Sequence, residues 1–266
     1  MIHKFSVIHK SAKIGKKCVI GPFCLIGENV RLGDGCKLHS HVNLQGDVEI
    51  GENTEIFPFT SIGSAPQDLK YKGEKTKVRI GSSCKIREYV TVNIGTKGGG
   101  GLTTVGDNCL LMVGTHIAHD CLIGNNVIFA NHSTLAGHVV IHNNVVVGAL
   151  SAIHQFSRIG EGAMIGGMSG VTADVVPFAT VLGNRAKLSG INILGLKRRL
   201  IKKSEVSQLR KVFKYIFFEQ KNTLKVAYLS PAPEFRAAAD VSVQGVETLF
   251  HKRGLFSFQS SIRINT

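Results

Sequence analysis

Residues 8–38 read IHKSAKIGKKCVIGPFCLIGENVRLGDGCKL. Every sixth residue of this stretch is aliphatic: Ile8, Ile14, Ile20, Ile26, Leu32 and Leu38. The series continues through Leu44, Ile50, Ile56 and Ile62, resumes at Ile80, Ile86 and Val92, and runs again from Val105 to Val171. Of these 25 positions, 24 are Ile, Leu or Val, Phe129 being the exception, and 12 are followed by Gly. The fifth residue of each unit is small or β-branched, as at Val30, Thr54, Val90, Val127, Ser133 and Ala163. A period of six matches neither the helical 3.6 nor the longer helical repeats. It fits a short strand followed by a tight turn, with the aliphatic and fifth residues turned inward and the other four outward.

The six cysteines, Cys18, Cys24, Cys36, Cys84, Cys109 and Cys121, all fall on the fifth position. That placement predicts buried free thiols acting as small hydrophobes, not disulfides or metal ligands. The histidines within the repeats, His9, His39, His41, His116, His119, His132, His138, His142 and His154, avoid both inward positions. They are expected on the surface. This organisation resembles the hexapeptide-repeat proteins. It implies a mainly β chain: a left-handed parallel β-helix of hexapeptide repeats, three to a triangular coil of 18 residues, with a C-terminal α-helical domain.

The period breaks at residues 64–79, which are polar and basic, and at 96–104, a glycine-rich stretch expected as a flexible flap. The glycine run lacks the GKS/T of a phosphate loop. After Pro177 the hexads fade. Ser204 to Gln220 reads as an amphipathic helix with Val206, Leu209, Phe213, Ile216 and Phe217 as its stripe, and Thr223 and Ser230 as N-caps of two more. The expected division is 1–185 for the β-helix, with the two inserted loops, and 186–266 for the helical domain.

Composition narrows the function. The chain of 266 residues is 43% apolar with 30 Gly and no Trp. No apolar run approaches the ~18 residues of a membrane span, and the N-terminal residues lack the apolar core of a signal peptide. The expectation is a cytoplasmic protein without membrane insertion. The net charge is +14, and residues 190–266 hold 14 Lys and Arg against 5 Asp and Glu. Such a tail suggests an anionic partner. It lacks interleaved exposed aromatics or any nucleic-acid-binding module, which disfavours nucleic acid.

Between Val105 and Val171 the register is unbroken, so residues 18 apart stack at about 4.8 Å per coil. Position 119 lies under 137, and 137 under 155. His119, His138 and His154 are expected in one line, each within a residue of this column, with His116 at the corner leading into it. An imidazole with an ordinary pKa of about 6.5 can serve as a general base at neutral pH.

The segment His116-Ile117-Ala118-His119-Asp120, with Gly137-His138, His154-Gln155-Phe156, the loop Gln67-Asp68-Leu69-Lys70-Tyr71 and Gly195-Leu196-Lys197-Arg198-Arg199, resembles the UDP-N-acetylglucosamine 3-O-acyltransferases along nearly the whole chain. That family begins lipid A synthesis. The resemblance implies a homotrimer without cofactor or metal. Acyl carrier protein supplies a phosphopantetheine thioester and UDP-N-acetylglucosamine, or its 3-amino analogue, is the acceptor. It implies His119 as general base, Asp120 as its support, and the backbone N–H of Gly137 as oxyanion donor. It further implies Asp68, Lys70, His116, His138, His154, Gln155, Asn192, Arg198 and Arg199 as substrate-binding residues, and Gly167 as the floor of the acyl groove. Gly167 stacks above Ala149 by the same 18-residue count. The chain departs from the family pattern at Arg185 and Leu194, where histidine and glutamate are common. Rival readings are a γ-type carbonic anhydrase, an acetyl-CoA-dependent acetyltransferase, an N-acyltransferase of the same pathway, and a non-catalytic solenoid scaffold. The anhydrase reading explains neither the 64–79 loop nor the basic tail, the N-acyltransferases carry an N-terminal nucleotide-binding domain whereas the hexads here start at residue 8, and a scaffold gives no reason for the aligned histidines.

Overall fold

The computed structural model describes residues 1–214 and 217. The chain divides into two compact units, Met1–Ser189 and Gly190–Thr266. The first is a left-handed parallel β-helix. Its strands are mostly two residues long, such as Leu25–Ile26 and Leu110–Leu111, and they join three sheets of nine, eight and ten strands. From Val7–Ile8 to Gly170–Val171 strand n pairs in parallel with strand n+3, so each sheet is one wall of a prism; beyond that Ala179–Leu182 pairs with Met164–Ile165.

The register is the predicted one. Ile8 pairs with Ile26, Leu111 with Phe129 and Leu135 with Ile153, each step being 18 residues. The two insertions lengthen single steps, so that Ile50 pairs with Ile80 and Ile80 with Val105. Every aliphatic hexad residue from Ile20 to Val171 is buried, whereas Ile8 and Ile14, in the lowest coil, are half-buried. Each fully buried Ile or Leu contributes about 1.5–3 kcal/mol relative to exposure. The six cysteines are buried and free. Their Sγ atoms point at carbonyl oxygens of the next coil, as in Cys24 to His39 O at 2.8 Å and Cys121 to Ala136 O at 3.2 Å.

Two boundaries move. The stretch expected as loop to residue 79 ends earlier, because Lys77–Ile80 forms a four-residue strand between Asp47–Ile50 and Leu102–Val105. Val78 and Ile80 face inward and Lys77 and Arg79 outward, an alternation hidden in sequence by the charges around it. Likewise Leu102–Val105 is strand, which shortens the glycine-rich insertion to the residues before it. The β-helix also continues past Pro177, with Val175 bridged to Ile159 and Val181 paired with Ile165 on a shorter step.

In the second unit a short helix, α1 (Ile193–Arg198), is capped by Asn192, whose Oδ1 accepts the Gly195 N–H at 2.9 Å. The next helix, α2 (Lys203–Lys214), buries Val206 and Phe213 of the expected stripe. The helices expected after Thr223 and Ser230 lie outside the described residues, as does Ile216. No described helix is long and apolar enough to cross a membrane.

Candidate active site

Each coil turns three corners, and most corners carry a residue in the left-handed conformation. At one of them these residues are Asp120 (φ 58°), His138 (φ 61°) and Phe156 (φ 66°). One residue earlier in each coil stand His119, Gly137 and Gln155. The backbone of the corner is ordinary: His138 N–H donates to His119 O at 3.0 Å and Phe156 N–H to Gly137 O at 3.2 Å. Its side chains are not.

His119 Nδ1–H donates to Oδ2 of Asp120 at 2.8 Å. This fixes the tautomer and leaves Nε2 as the acceptor. The Asp120 side chain is only 1% exposed and would be costly to bury as an anion without donors. Donors are supplied in full. Thr96 N–H donates to Oδ1 at 2.8 Å and Thr96 Oγ1–H to Oδ2 at 2.7 Å. The backbone N–H of Asp120 donates in turn to Thr103 Oγ1 at 2.8 Å.

The His119 ring packs directly beneath Gly137. A Cβ at position 137 would stand 2.5 Å from Cε1 and 2.7 Å from Nε2 of that ring. Glycine is therefore needed for close approach, not for an unusual dihedral. The Gly137 N–H finds no acceptor among the described residues. His119 Nε2, the ring nitrogen not bonded to Asp120, lies under the same residue.

His138 meets His119 edge to face, with ring centroids 5.0 Å apart, and stacks on Phe156 at 4.7 Å. Its Nδ1 is 3.9 Å from Asp120 Oδ2. His119, Asp120 and His138 each bring one ligand-type atom within 4.8 Å of the others. The carboxylate oxygens there already accept hydrogen bonds from Thr96 and His119, and His138 stands beside this network through its ring contacts, without a hydrogen bond to it among the described residues. His116 accepts or donates a 2.7 Å bond between its Nδ1 and Thr91 Oγ1. Burial, and then the nearby His119, hold the His116 imidazole below its ordinary pKa.

The line expected for His119, His138 and His154, each within a residue of one column, resolves into three neighbouring columns. His138 stands over Asp120 rather than over His119, because the coil step is 18 and not 19. His154 is exposed, its Nδ1 faces the Gln155 carbonyl at 3.2 Å, and it makes no ring contact with the pair among the described residues. Gln155 occupies the column above Gly137 as expected and is exposed.

The glycine-rich stretch, expected as a flexible flap, folds back as a loop against Asp120. Thr96 caps a single turn, Lys97–Gly99, its Oγ1 accepting the Gly99 N–H at 3.2 Å. A Cβ on Gly99 would fall inside the Asp120 carboxylate, so the missing side chain lets the loop close on it. The other insertion is tied to this loop: Thr76 Oγ1–H donates to Gly95 O at 2.5 Å, and Asn93 Nδ2 to Ala65 O at 3.2 Å. Asp68 and Lys70 lie in that insertion, in a turn where Lys70 N–H donates to Asp68 Oδ1 at 2.9 Å. Asn192, Arg198 and Arg199 belong to the second unit, at either end of its first helix. Thr96, Thr103 and Gly99 were not singled out by sequence, and Phe156 entered only as part of a quoted motif.

The similarities to known proteins agree with this geometry. The family model described as UDP-N-acetylglucosamine O-acyltransferase, domain 2, matches residues 174–246, and the bacterial transferase hexapeptide model matches 102–137. The chain is 53% identical over 155 residues to the acyl-[acyl-carrier-protein]–UDP-N-acetylglucosamine O-acyltransferase of Paracoccus denitrificans, an alignment covering 58% of this chain and 59% of that one. The solved UDP-N-acetylglucosamine acyltransferase of Campylobacter jejuni superposes with a TM-score of 0.84 at 37% identity, covering 92% of this chain and 96% of the other. The chain belongs to the UDP-N-acetylglucosamine O-acyltransferase family. The corresponding enzyme structure from Arabidopsis, 35% identical, covers 95% of this chain and 98% of the other with a TM-score of 0.82. The aligned segments span 59% and 65% of the lengths of the curated family members from Paracoccus denitrificans and Nautilia profundicola.

Proposed function

We propose that the chain transfers a long 3-hydroxyacyl group from the phosphopantetheine thioester of acyl carrier protein to the 3-hydroxyl of UDP-N-acetylglucosamine, the first step of lipid A biosynthesis. The observation that carries this reading is the pairing of an oriented imidazole with an unclaimed backbone N–H: His119 Nε2 lies under Gly137, while Nδ1 is tied to buried Asp120. An alcohol attacks a thioester poorly unless its proton leaves during attack. His119 Nε2 takes the proton of the sugar hydroxyl as its oxygen bonds to the thioester carbonyl carbon. The carbonyl oxygen becomes an oxyanion, to which the Gly137 N–H is assigned as donor on the strength of the family resemblance. Collapse breaks the C–S bond, and the imidazolium returns its proton to the thiolate. No acyl-enzyme intervenes, since Cys121 faces the core.

Asp68, Lys70, His116, His138, His154, Gln155, Asn192, Arg198 and Arg199 are assigned to substrate binding on the strength of the family resemblance. The homotrimer and cofactor independence have the same basis, and a cytoplasmic location and a helical domain from residue 186 are assigned from the sequence pattern. Gly167 is assigned as the floor of the acyl groove. It is exposed, and the contacts of a Cβ there are with Ala149 alone, so the site accepts a larger side chain. Mass spectrometry of products from the purified protein, offered UDP-N-acetylglucosamine and its 3-amino analogue with a panel of acyl carrier protein thioesters, tests the reading. Acylation at the 3-position by long 3-hydroxyacyl donors is expected, and no product with either acceptor overturns it. Gly167→Met should move the kcat/KM ratio toward shorter donors, each lost buried methylene being worth about 0.8 kcal/mol.

A further inference from the structure

We propose that Thr96 is a positioning residue for His119, acting through Asp120, and that the glycine-rich loop exists to hold it there. The inference rests on the reading of His119 as the general base. Three observations carry it. First, the Thr96 hydroxyl has fixed roles: it accepts the Gly99 N–H at 3.2 Å and so directs its own proton to Asp120 Oδ2 at 2.7 Å. Second, that same Oδ2 accepts His119 Nδ1–H at 2.8 Å, so the hydroxyl and the imidazole share one oxygen. Third, the loop closes on the carboxylate only because Gly99 has no side chain, and Gly95, whose Cβ would stand 2.9 Å from Oδ1, is equally constrained.

A carboxylate held by one residue could still rotate. Thr96 grips both oxygens, through its N–H on Oδ1 and its hydroxyl on Oδ2. The plane of the carboxylate is thereby set, and with it the direction of the imidazole. The hydroxyl also draws charge from Oδ2. The other titratable groups facing His119 are His138, at 5.0 Å between ring centroids, and His116. Thr96 is thus the donor that sets how strongly Asp120 stabilises a protonated His119.

Thr96→Val keeps the shape and the backbone N–H and removes the hydroxyl. We expect kcat to fall about ten- to a hundredfold, the equivalent of one charge-assisted hydrogen bond, with both KM values within about twofold. The acid limb of the kcat profile should move to higher pH, since a carboxylate relieved of one donor holds the imidazolium more tightly. Thr96→Ser should restore both. Nitrogen-15 NMR of the His119 ring gives a readout independent of turnover: its titration midpoint should rise in Thr96→Val and not in Thr96→Ser. Gly99→Ala, which pushes the loop off Asp120 while leaving Thr96 in the chain, should reproduce the shift even where the valine variant does not fold. A folded Thr96→Val protein with wild-type kcat and an unmoved midpoint overturns the proposal, as does a serine variant as impaired as the valine one. Should His119→Ala retain turnover, the base assignment fails by itself, and the NMR midpoints still decide whether Thr96 controls the imidazole.

Discussion

Two corners of the prism have the same backbone and opposite surfaces. At one, the left-handed residues are Lys17, Gly35, Asn53, Ser83, Asn108, Asn126, Asn144, Gly162 and Phe178. These are mostly types that tolerate that conformation, which costs other L-residues about 1–2 kcal/mol. Between them runs a ladder: Asp107 N–H donates to Asn125 Oδ1 at 2.8 Å, and Asn125 N–H to Asn143 Oδ1 at 2.7 Å. Each short polar side chain covers the N–H one coil below. At the other corner the backbone bonds are the same, but the ladder is absent. Gly137 stands where Asn125 would, with no side chain to cover the N–H of His119 and nothing above claiming its own. The left-handed positions hold Asp120, His138 and Phe156 instead. The ladder satisfies corner N–H groups such as those of Asp107 and Asn125; at the site those of His119 and Gly137 have no acceptor among the described residues, and the ring of His119 lies under Gly137.

The largest expected effect comes from removing the base. His119→Ala should lower kcat by about 10²–10⁴-fold in a protein with unchanged melting temperature, as measured by single-turnover kinetics with the thioester donor. A variant keeping more than about a tenth of the rate would mean that the bare corner has another purpose. Converting the bare corner into a ladder corner is the next step down. Gly137→Asn puts a side-chain oxygen over the N–H of residue 119 and its Cβ into the space of the His119 ring. Turnover should drop about 10²-fold or more, while thermal stability is held. Activity near wild type in that variant would remove Gly137 from the mechanism.

The reverse operation is milder. Asn125→Ala strips one rung from the polar ladder and exposes the Asp107 N–H. Denaturant unfolding should show a loss of about 0.5–1.5 kcal/mol, with kcat unchanged. An equal loss of kcat would show that the two corners are not independent. The smallest effect concerns pH. His116 has its folded pKa below the unfolded value of about 6.5, so the unfolded chain binds a proton that the folded chain refuses. Its contribution is therefore intact above about pH 6.5 and declines as pH falls from there toward the folded pKa. In His116→Gln the melting temperature should fall less between pH 7 and pH 5.5 than in the parent, and an equal decline would assign the loss to other groups.

Much of this contrast was legible in the sequence. The six-residue period identified the inward residues, and the 18-residue stack put Gly137 over His119. The step of 18 also puts His138 over Asp120, so the single histidine line was an approximation one residue too generous. His154 shows the cost: it lies one position to the other side of the column and faces solvent. Thr96 was not legible, because it sits in an insertion whose return path the repeat does not control. Its glycines suggested mobility, yet Gly99 is there to let the backbone touch a carboxylate.

The sequence by itself determined the prism, its inward thiols and the neighbours of each residue along a wall. It could do so because a parallel β-helix repeats one local geometry, so spacing along the chain becomes spacing in the structure. Only the tertiary structure decided what closes over Asp120. That contact joins Thr96 and Asp120 across a chain distance set by loop length and backbone clearance, and neither carries a period.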